Sequence, residues 1–258
     1  MKKVLLSALA LSAVAASQAV VLYSTSFEAP TFAVGTLYNG VSGQDGWEST
    51  STVPAVTAAI ARTGTQSLVH GTRAQTASST GSLNRFTWKD ISSAWTAAAA
   101  TGKTIINSSV WCFIPATGTA QNQNIGIQLY ANLGGAIVGQ ITYNPATNLI
   151  VTFGEGGTGN AFNVTGSFRG AWTQFGLSAN TATGLVTASV NGVNLTPQAF
   201  TSTNFSDMDI FTGSPAGIAS TAVNVAWDDY SVEAVPEPAT MAALGLGLAA
   251  VARRRKSK

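Results

Sequence analysis

The sequence predicts an all-β domain of two packed antiparallel sheets, framed by a short apolar targeting helix at each end of the chain. Three observations carry that prediction. Short alternating apolar runs recur through the middle of the chain, and Gly, Asn and Pro clusters separate them. Charge is sparse, with Asp, Glu, Lys and Arg together making up 9% of 258 residues. Helical periodicity is confined to one short internal segment and the two ends.

At the amino end, Lys2 and Lys3 precede the apolar stretch Val4–Ala16, and Ser17-Gln18-Ala19 places small residues at a cleavage site. That is the pattern of a secretory signal peptide over residues 1–19, cut after Ala19. A buried core helix would leave the lysines and the small-residue site unexplained. The mature domain is expected over residues 20–233. Within it, Asp90 to Ala100 (DISSAWTAAAA) predicts the one short helix, with Asp90 as N-cap and Gly102 just past its end. Trp88 and Trp95 would share a face of that helix only if it reached back beyond the cap.

Strands follow. Ile125, Ile127 and Leu129 share one face, while Gln128 and Tyr130 share the other. Leu149, Val151 and Phe153 repeat the period, as do Phe175 with Leu177, and Val186, Ala188 and Val190. Turns are expected at Asn144–Asn148 and Asn180–Gly184. Asn191-Gly192 suits a two-residue type I′ hairpin, whose central positions both need positive φ. No internal repeat points to a solenoid or propeller. Many short strands with such turns argue for two antiparallel sheets.

The carboxy end reads differently. Val235-Pro236-Glu237-Pro238 breaks the preceding domain, because neither proline continues a strand or helix. The uncharged run Ala239–Ala252 then spans roughly 21 Å as a helix, short of a hydrocarbon core of about 30 Å. Arg253, Arg254, Arg255 and Lys256 follow, a cluster that stays cytoplasmic by the positive-inside tendency. This order over residues 234–258 resembles the PEP-CTERM sorting signal of Gram-negative bacteria. The resemblance implies recognition of Pro236-Glu237-Pro238 by a membrane-embedded exosortase and delivery to the cell surface, often alongside exopolysaccharide. A plain membrane anchor is the alternative.

With both ends removed, six basic residues face ten acids in residues 20–233, a net charge of about −4. The basic balance of the whole chain belongs to its targeting ends, so a nucleic-acid partner has no electrostatic support. Cys112, the single cysteine, sits in the apolar run Val110–Ile114 and reads as a buried thiol. His70 is the only histidine, which excludes a His/Cys transition-metal site of the usual kind. No Gly-x-Ser-x-Gly elbow supports a serine triad, and Gly154–Gly159 lacks the lysine of a phosphate-binding loop. Glycoside hydrolysis needs two carboxyls flanking one bond. Glu155 stands alone in a glycine-rich loop, and Asp207 and Asp209 alternate without a following Glu, as expected of loop or edge-strand residues.

A second resemblance spans most of the mature domain. Thr25-Ser26-Phe27-Glu28, Gly43-Gln44-Asp45-Gly46-Trp47, Gly64-Thr65-Gln66-Ser67-Leu68 and Val225–Val232 with its Asp228-Asp229 pair occur in order. That set is similar to concanavalin A-like, laminin-G-type jelly rolls and related carbohydrate-binding modules. It implies that Phe27 packs in one core with Val225 and Trp227, bringing Glu28 near Asp228 or Asp229. It also implies a structural calcium there, with Asp45 a remoter ligand; two solvated carboxylates are the alternative.

Three readings result. The first is a non-enzymatic surface or matrix protein, exported by the secretion machinery and sorted by an exosortase-like protease. The second is a carbohydrate-binding module for exopolysaccharide. Tryptophans 47, 88, 95, 111, 172 and 227 are available as sugar platforms, with Trp111, Trp172 and Trp227 in core-like strands and Tyr130 and Tyr143 facing outward beside Gln128 and Gln140. The third is a polysaccharide-active enzyme.

Overall fold

The structure, a computed structural model, describes residues 18–237 apart from 77, 79, 118–121, 134, 158, 218 and 220. Both expected terminal helices fall outside the described residues, as do nearly all of the signal peptide and the tail from Pro238, with Arg253–Lys256, onward.

Chain order runs through β1 (Val20–Thr25), β2 (Gly35–Thr36), β3 (Trp47–Ser49), β4 (Ala55–Thr57), β5 (Ser67–Val69) and β6 (Leu83–Lys89). After helix α1 (Ser92–Ala99) come β7 (Ile105–Phe113), β8 (Asn124–Tyr130), β9 (Ile137–Asn144), β10 (Leu149–Gly154) and β11 (Gly159–Asn163). The last are β12 (Trp172–Asn180), β13 (Leu185–Val190), β14 (Val193–Asn194), β15 (Gln198–Ala199), β16 (Asp207–Ser214) and β17 (Ala226–Val235). They form two sheets. One has the order β14-β13-β12-β7-β17-β5-β4-β2, with β1 also on β17 and β15 on β13. The other has the order β11-β10-β9-β8-β16-β6-β3. All ladders between named strands are antiparallel.

Period-two alternation builds the core between the sheets. Ile125, Ile127 and Leu129 of β8, Met208 and Ile210 of β16, Phe175 and Leu177 of β12, and Val186, Ala188 and Val190 of β13 are all buried there. In β10 the expected face is reversed: Ile150 and Thr152 are buried, while Leu149, Val151 and Phe153 are half-exposed. Apolar residues occupy both faces of that strand, so alternation alone could not choose. Asn191 and Gly192 have φ of 49° and 78°, as the two-residue turn between β13 and β14 requires. Asn144 and Asn180 hold their turns by accepting from the backbone N–H groups two and three residues on.

Helix α1 starts later than expected. Asp90 belongs to a bridge with Asp207 and accepts from the Ser92 N–H at 2.8 Å, one position before the N-cap Ile91. Trp88 lies in β6 and shares no helical face with Trp95, which packs against Phe205 at 4.7 Å between ring centroids.

At the carboxy end the sheet runs past the expected domain limit at residue 233. Ala234 pairs with both Val20 and Ile106, Val235 pairs with Ile105, and Pro236 is buried. The proline-glutamate motif therefore begins flush against the domain, beside the first residue expected after signal cleavage.

Candidate functional site

The outer face of the seven-stranded sheet carries a cluster of polar and aromatic side chains around one cavity. Because Met208 and Ile210 point into the core, alternation sends Asp207, Asp209 and Phe211 to the opposite face. Register then sets their neighbours. Asp209 lies opposite Gln128, Gln128 opposite Gln140, and Gln140 opposite Phe153, one row across four strands. Asp207 lies opposite Tyr130, and Phe211 opposite Phe86, whose rings stand 5.2 Å apart. Glu48 lies opposite Trp88 at the sheet's other side. Together Glu48, Phe86, Trp88, Tyr130, Asp207 and Asp209 line a cavity of about 480 Å³, with Leu133 and Ile137 at its rim.

Asp207 and Asp209 are not edge or loop residues, as the sequence suggested. β16 is an interior strand between β8 and β6, and the two side chains are only 2% and 5% exposed. Burial is the main reason that both carboxyls are pushed upward, Asp209 well above the ordinary carboxylate range. The neighbouring Asp207 raises Asp209 further, whereas Asp209 and the Ser206 hydroxyl, which donates to Asp207, partly offset the shift of Asp207. The pair thus keeps a proton on Asp209 above the pH at which free Asp ionises. Tyr130 donates to Gln128 at 2.7 Å, and its phenol is shifted upward by burial and by the two aspartates. Gln128 donates in turn to Gln140. Asp209 Oδ1 and Trp88 Nε1 are buried without a hydrogen-bond partner.

A second polar cluster is structural. Asp228 and Asp229 sit where β17 exchanges its neighbour β5 for β1, at a bulge with Asp229 at φ 48°. Buried Asp228 accepts from the N–H groups of Arg62 (2.8 Å), Thr63 (3.2 Å) and Asp229 (2.8 Å). Asp229 pairs with Arg62 and accepts from Thr63 Oγ1 at 2.5 Å. Glu28 accepts from Thr65 N (2.8 Å), Thr65 Oγ1 (2.9 Å) and Gln66 N (2.7 Å). Partial burial opposes ionisation of Glu28, but the Gln66 and Thr65 bonds outweigh it and hold its carboxyl below the usual range. All three acids therefore fasten the segment 62–66. Among the described residues no group of three or more His, Cys, Asp or Glu is assembled to hold a metal ion. Asp45 is engaged elsewhere, with Tyr23 at 2.6 Å and Lys89 at 3.8 Å.

The remaining candidates divide cleanly. Trp47, Trp95 and Trp227 are core residues, and Phe27 joins Val225 and Trp227 in one core as expected. Trp111 and Trp172 are not in the core; they lie half-buried on the outer face of the ten-stranded sheet, under the Arg62 guanidinium (3.7 Å) and beside Phe113 (5.6 Å) respectively. Tyr130 faces outward beside both glutamines, but Tyr143 is buried and donates to Asn148 at 2.7 Å. Cys112 is buried, and burial pushes its thiol up. His70 is buried; that burial, with the nearby Arg85 charge, lowers its pKa to about 3, so it is neutral. Glu155 is no free loop residue, since it takes four bonds from the backbone and hydroxyls of Thr201 and Ser202.

Residues 234–256 match the PEP-CTERM protein-sorting motif. No curated protein matches the chain. Among solved structures, the catalytic domain of an endo-1,3-beta-glucanase (laminarinase) from Thermotoga petrophila is similar with a TM-score of 0.53 and 10% identity, over 86% of this chain and 100% of that one. A conserved carbohydrate esterase from Shiga toxin-encoding bacteriophage phi24B gives 0.52 and 13%, over 85% of this chain and 100% of that one. A sialidase gives 0.48 and 10%, over 72% of this chain but only 16% of its own length. The fold is accordingly a concanavalin A-like jelly-roll sandwich. The sorting motif implies exosortase-dependent export.

Proposed function

We propose that this chain is a non-enzymatic cell-surface or extracellular-matrix protein whose jelly roll binds extracellular polysaccharide on the outer face of its seven-stranded sheet. The observation that carries the reading is the cavity of about 480 Å³, in which the half-buried Trp88 and Phe86 meet the Asp207–Asp209 pair, Tyr130 and Glu48. Aromatic faces stack on sugar C–H surfaces while carboxyls and amides bond hydroxyls, the usual division of labour in such sites. The sorting motif supports the setting, since it implies export. Two of the similar structures above, a glucanase catalytic domain and a carbohydrate esterase, are named as acting on carbohydrates.

Binding without turnover is favoured because Asp207 and Asp209 alternate on β16 with no Glu following them on that strand. A glycosidase needs an acid and a base or nucleophile on either side of the scissile bond, about 5–9.5 Å apart. The test is a glycan array followed by reducing-end assays on each bound polymer. Saturable binding that Trp88→Ala abolishes, with no new reducing ends, supports the proposal. Released sugar that disappears in Asp209→Asn would make the protein an enzyme. Delivery is tested by mass spectrometry of both termini of the surface-extracted protein: a start at Val20 and an end near Pro236-Glu237-Pro238 are expected, whereas a tail intact to Lys258 would indicate a plain anchor.

A further inference from the structure

We infer that the ligand of this cavity is an amine-bearing glycan, a polymer of hexosamine with free ammonium groups, rather than a neutral or acidic one. The inference rests on the binding face proposed above and concerns which sugar it selects. Three acids, Glu48, Asp207 and Asp209, line one cavity, and the described residues around it include no Lys, Arg or His. Five described carboxylates elsewhere have partners: Asp229 has Arg62, Asp45 has Lys89, and Glu28, Asp228 and Glu155 have N–H donors. In the cavity that balance is missing. Asp90, beside Asp207, adds further negative charge.

Asp209 is 95% buried by its 5% exposure, and its Oδ1 has no donor. Such an atom costs free energy unless a ligand supplies the bond. An ammonium offers three donors to that position, and its positive charge favours the ionised form of the carboxyl it meets. The aromatic wall suits the same group, since Trp88, Phe86 and Tyr130 line the cavity and an aromatic face attracts a cation. A uronic acid would bring a carboxylate beside Glu48 and Asp207 and be repelled. A metal ion would need a set of oxygen ligands that is not assembled among the described residues.

The experiment is calorimetric titration of the purified mature chain at a pH below the amine pKa. The probes are a β-1,4-linked glucosamine oligomer, its fully N-acetylated counterpart, a glucan oligomer of equal length, and poly-lysine. The amine oligomer is expected to bind about tenfold or more tighter than the acetylated one, the scale of one partly desolvated ion pair with a cation–π contact. Asp209→Asn should collapse that preference, and so should Glu48→Gln, whose exposed site leaves folding intact. Equal affinity for the amine, acetylated and neutral oligomers would overturn the inference and leave polysaccharide binding standing. Equal binding of poly-lysine, unaffected by Trp88→Ala, would overturn it as mere attraction to an acidic surface. Binding of none of the glycans would remove the proposed function as well.

Discussion

Asp228→Ala should be the most damaging single change in the strand-exchange region. The Asp228 side chain is fully buried, and its two oxygens take three backbone donors, at Arg62, Thr63 and Asp229. Truncation leaves those donors without a partner where β17 passes from β5 to β1, so no ladder bond replaces them. An orphaned buried donor costs about 1–3 kcal/mol. Because Arg62 and Thr63 lie partly open to water, values near the low end apply, and the total is about 3–5 kcal/mol. Domains of this class have roughly 5–15 kcal/mol to lose. Burial raises the Asp228 carboxyl against the opposing pull of the Arg62, Thr63 and Asp229 bonds. A raised folded pKa means that the native state holds the extra proton, so the Asp228 contribution to stability falls as pH rises above the unfolded value. The penalty of Asp228→Ala should therefore be no greater at neutral pH than at mildly acidic pH. Urea denaturation followed by tryptophan fluorescence measures both effects. A loss below about 1 kcal/mol, or a loss that grows steadily toward neutral pH, would refute the clamp as described.

Other consequences follow from the same geometry. Glu155→Gln should cost under about 1 kcal/mol because the site is largely solvated. The bonds from Thr201 and Ser202 hold its carboxyl at about 2, so this contribution is present above the unfolded pKa and fades only as pH falls toward that value; melting midpoints against pH would show it. A structural calcium at Glu28 with Asp228 or Asp229 remains a proposal that would have to displace donors from residues 62–66. With those carboxylates already satisfied, excess EDTA should leave the melting temperature unchanged, and a calcium-dependent rise would establish the metal site. Gly126→Ala would set a Cβ 1.9 Å from the Ile141 carbonyl oxygen, splitting β8 from β9 under the cavity; denaturant melts should register a loss of about 2–3 kcal/mol or more.

Much of the fold was legible because its signals are local. Asn191-Gly192, the Asn144 and Asn180 turns, and the alternation in β8, β12 and β13 each depend on a few neighbouring residues. The cavity was not legible for the opposite reason. Asp207 and Asp209 visibly share a face, but their burial depends on β16 lying between β8 and β6, whose residues are some 80 and 120 positions earlier in the chain. Only that pairing brings Trp88, Tyr130 and Gln128 around them. β10 misled because both its faces are apolar, and Trp111 and Trp172 because an aromatic residue in an alternating strand resembles core from either side. Glu28 and the Asp228-Asp229 pair both reach the segment 62–66, whose backbone and side chains supply their donors and which sequence patterns do not reveal.

The most direct test of the account is hydrogen exchange on the mature chain with and without saturating glucosamine oligomer, read peptide by peptide. The account predicts slowed exchange in peptides covering residues 86–88, 128–130 and 207–209, the strands around the cavity. Protection confined to the ten-stranded sheet, around Trp111 and Trp172, would place the ligand on the opposite face and contradict it.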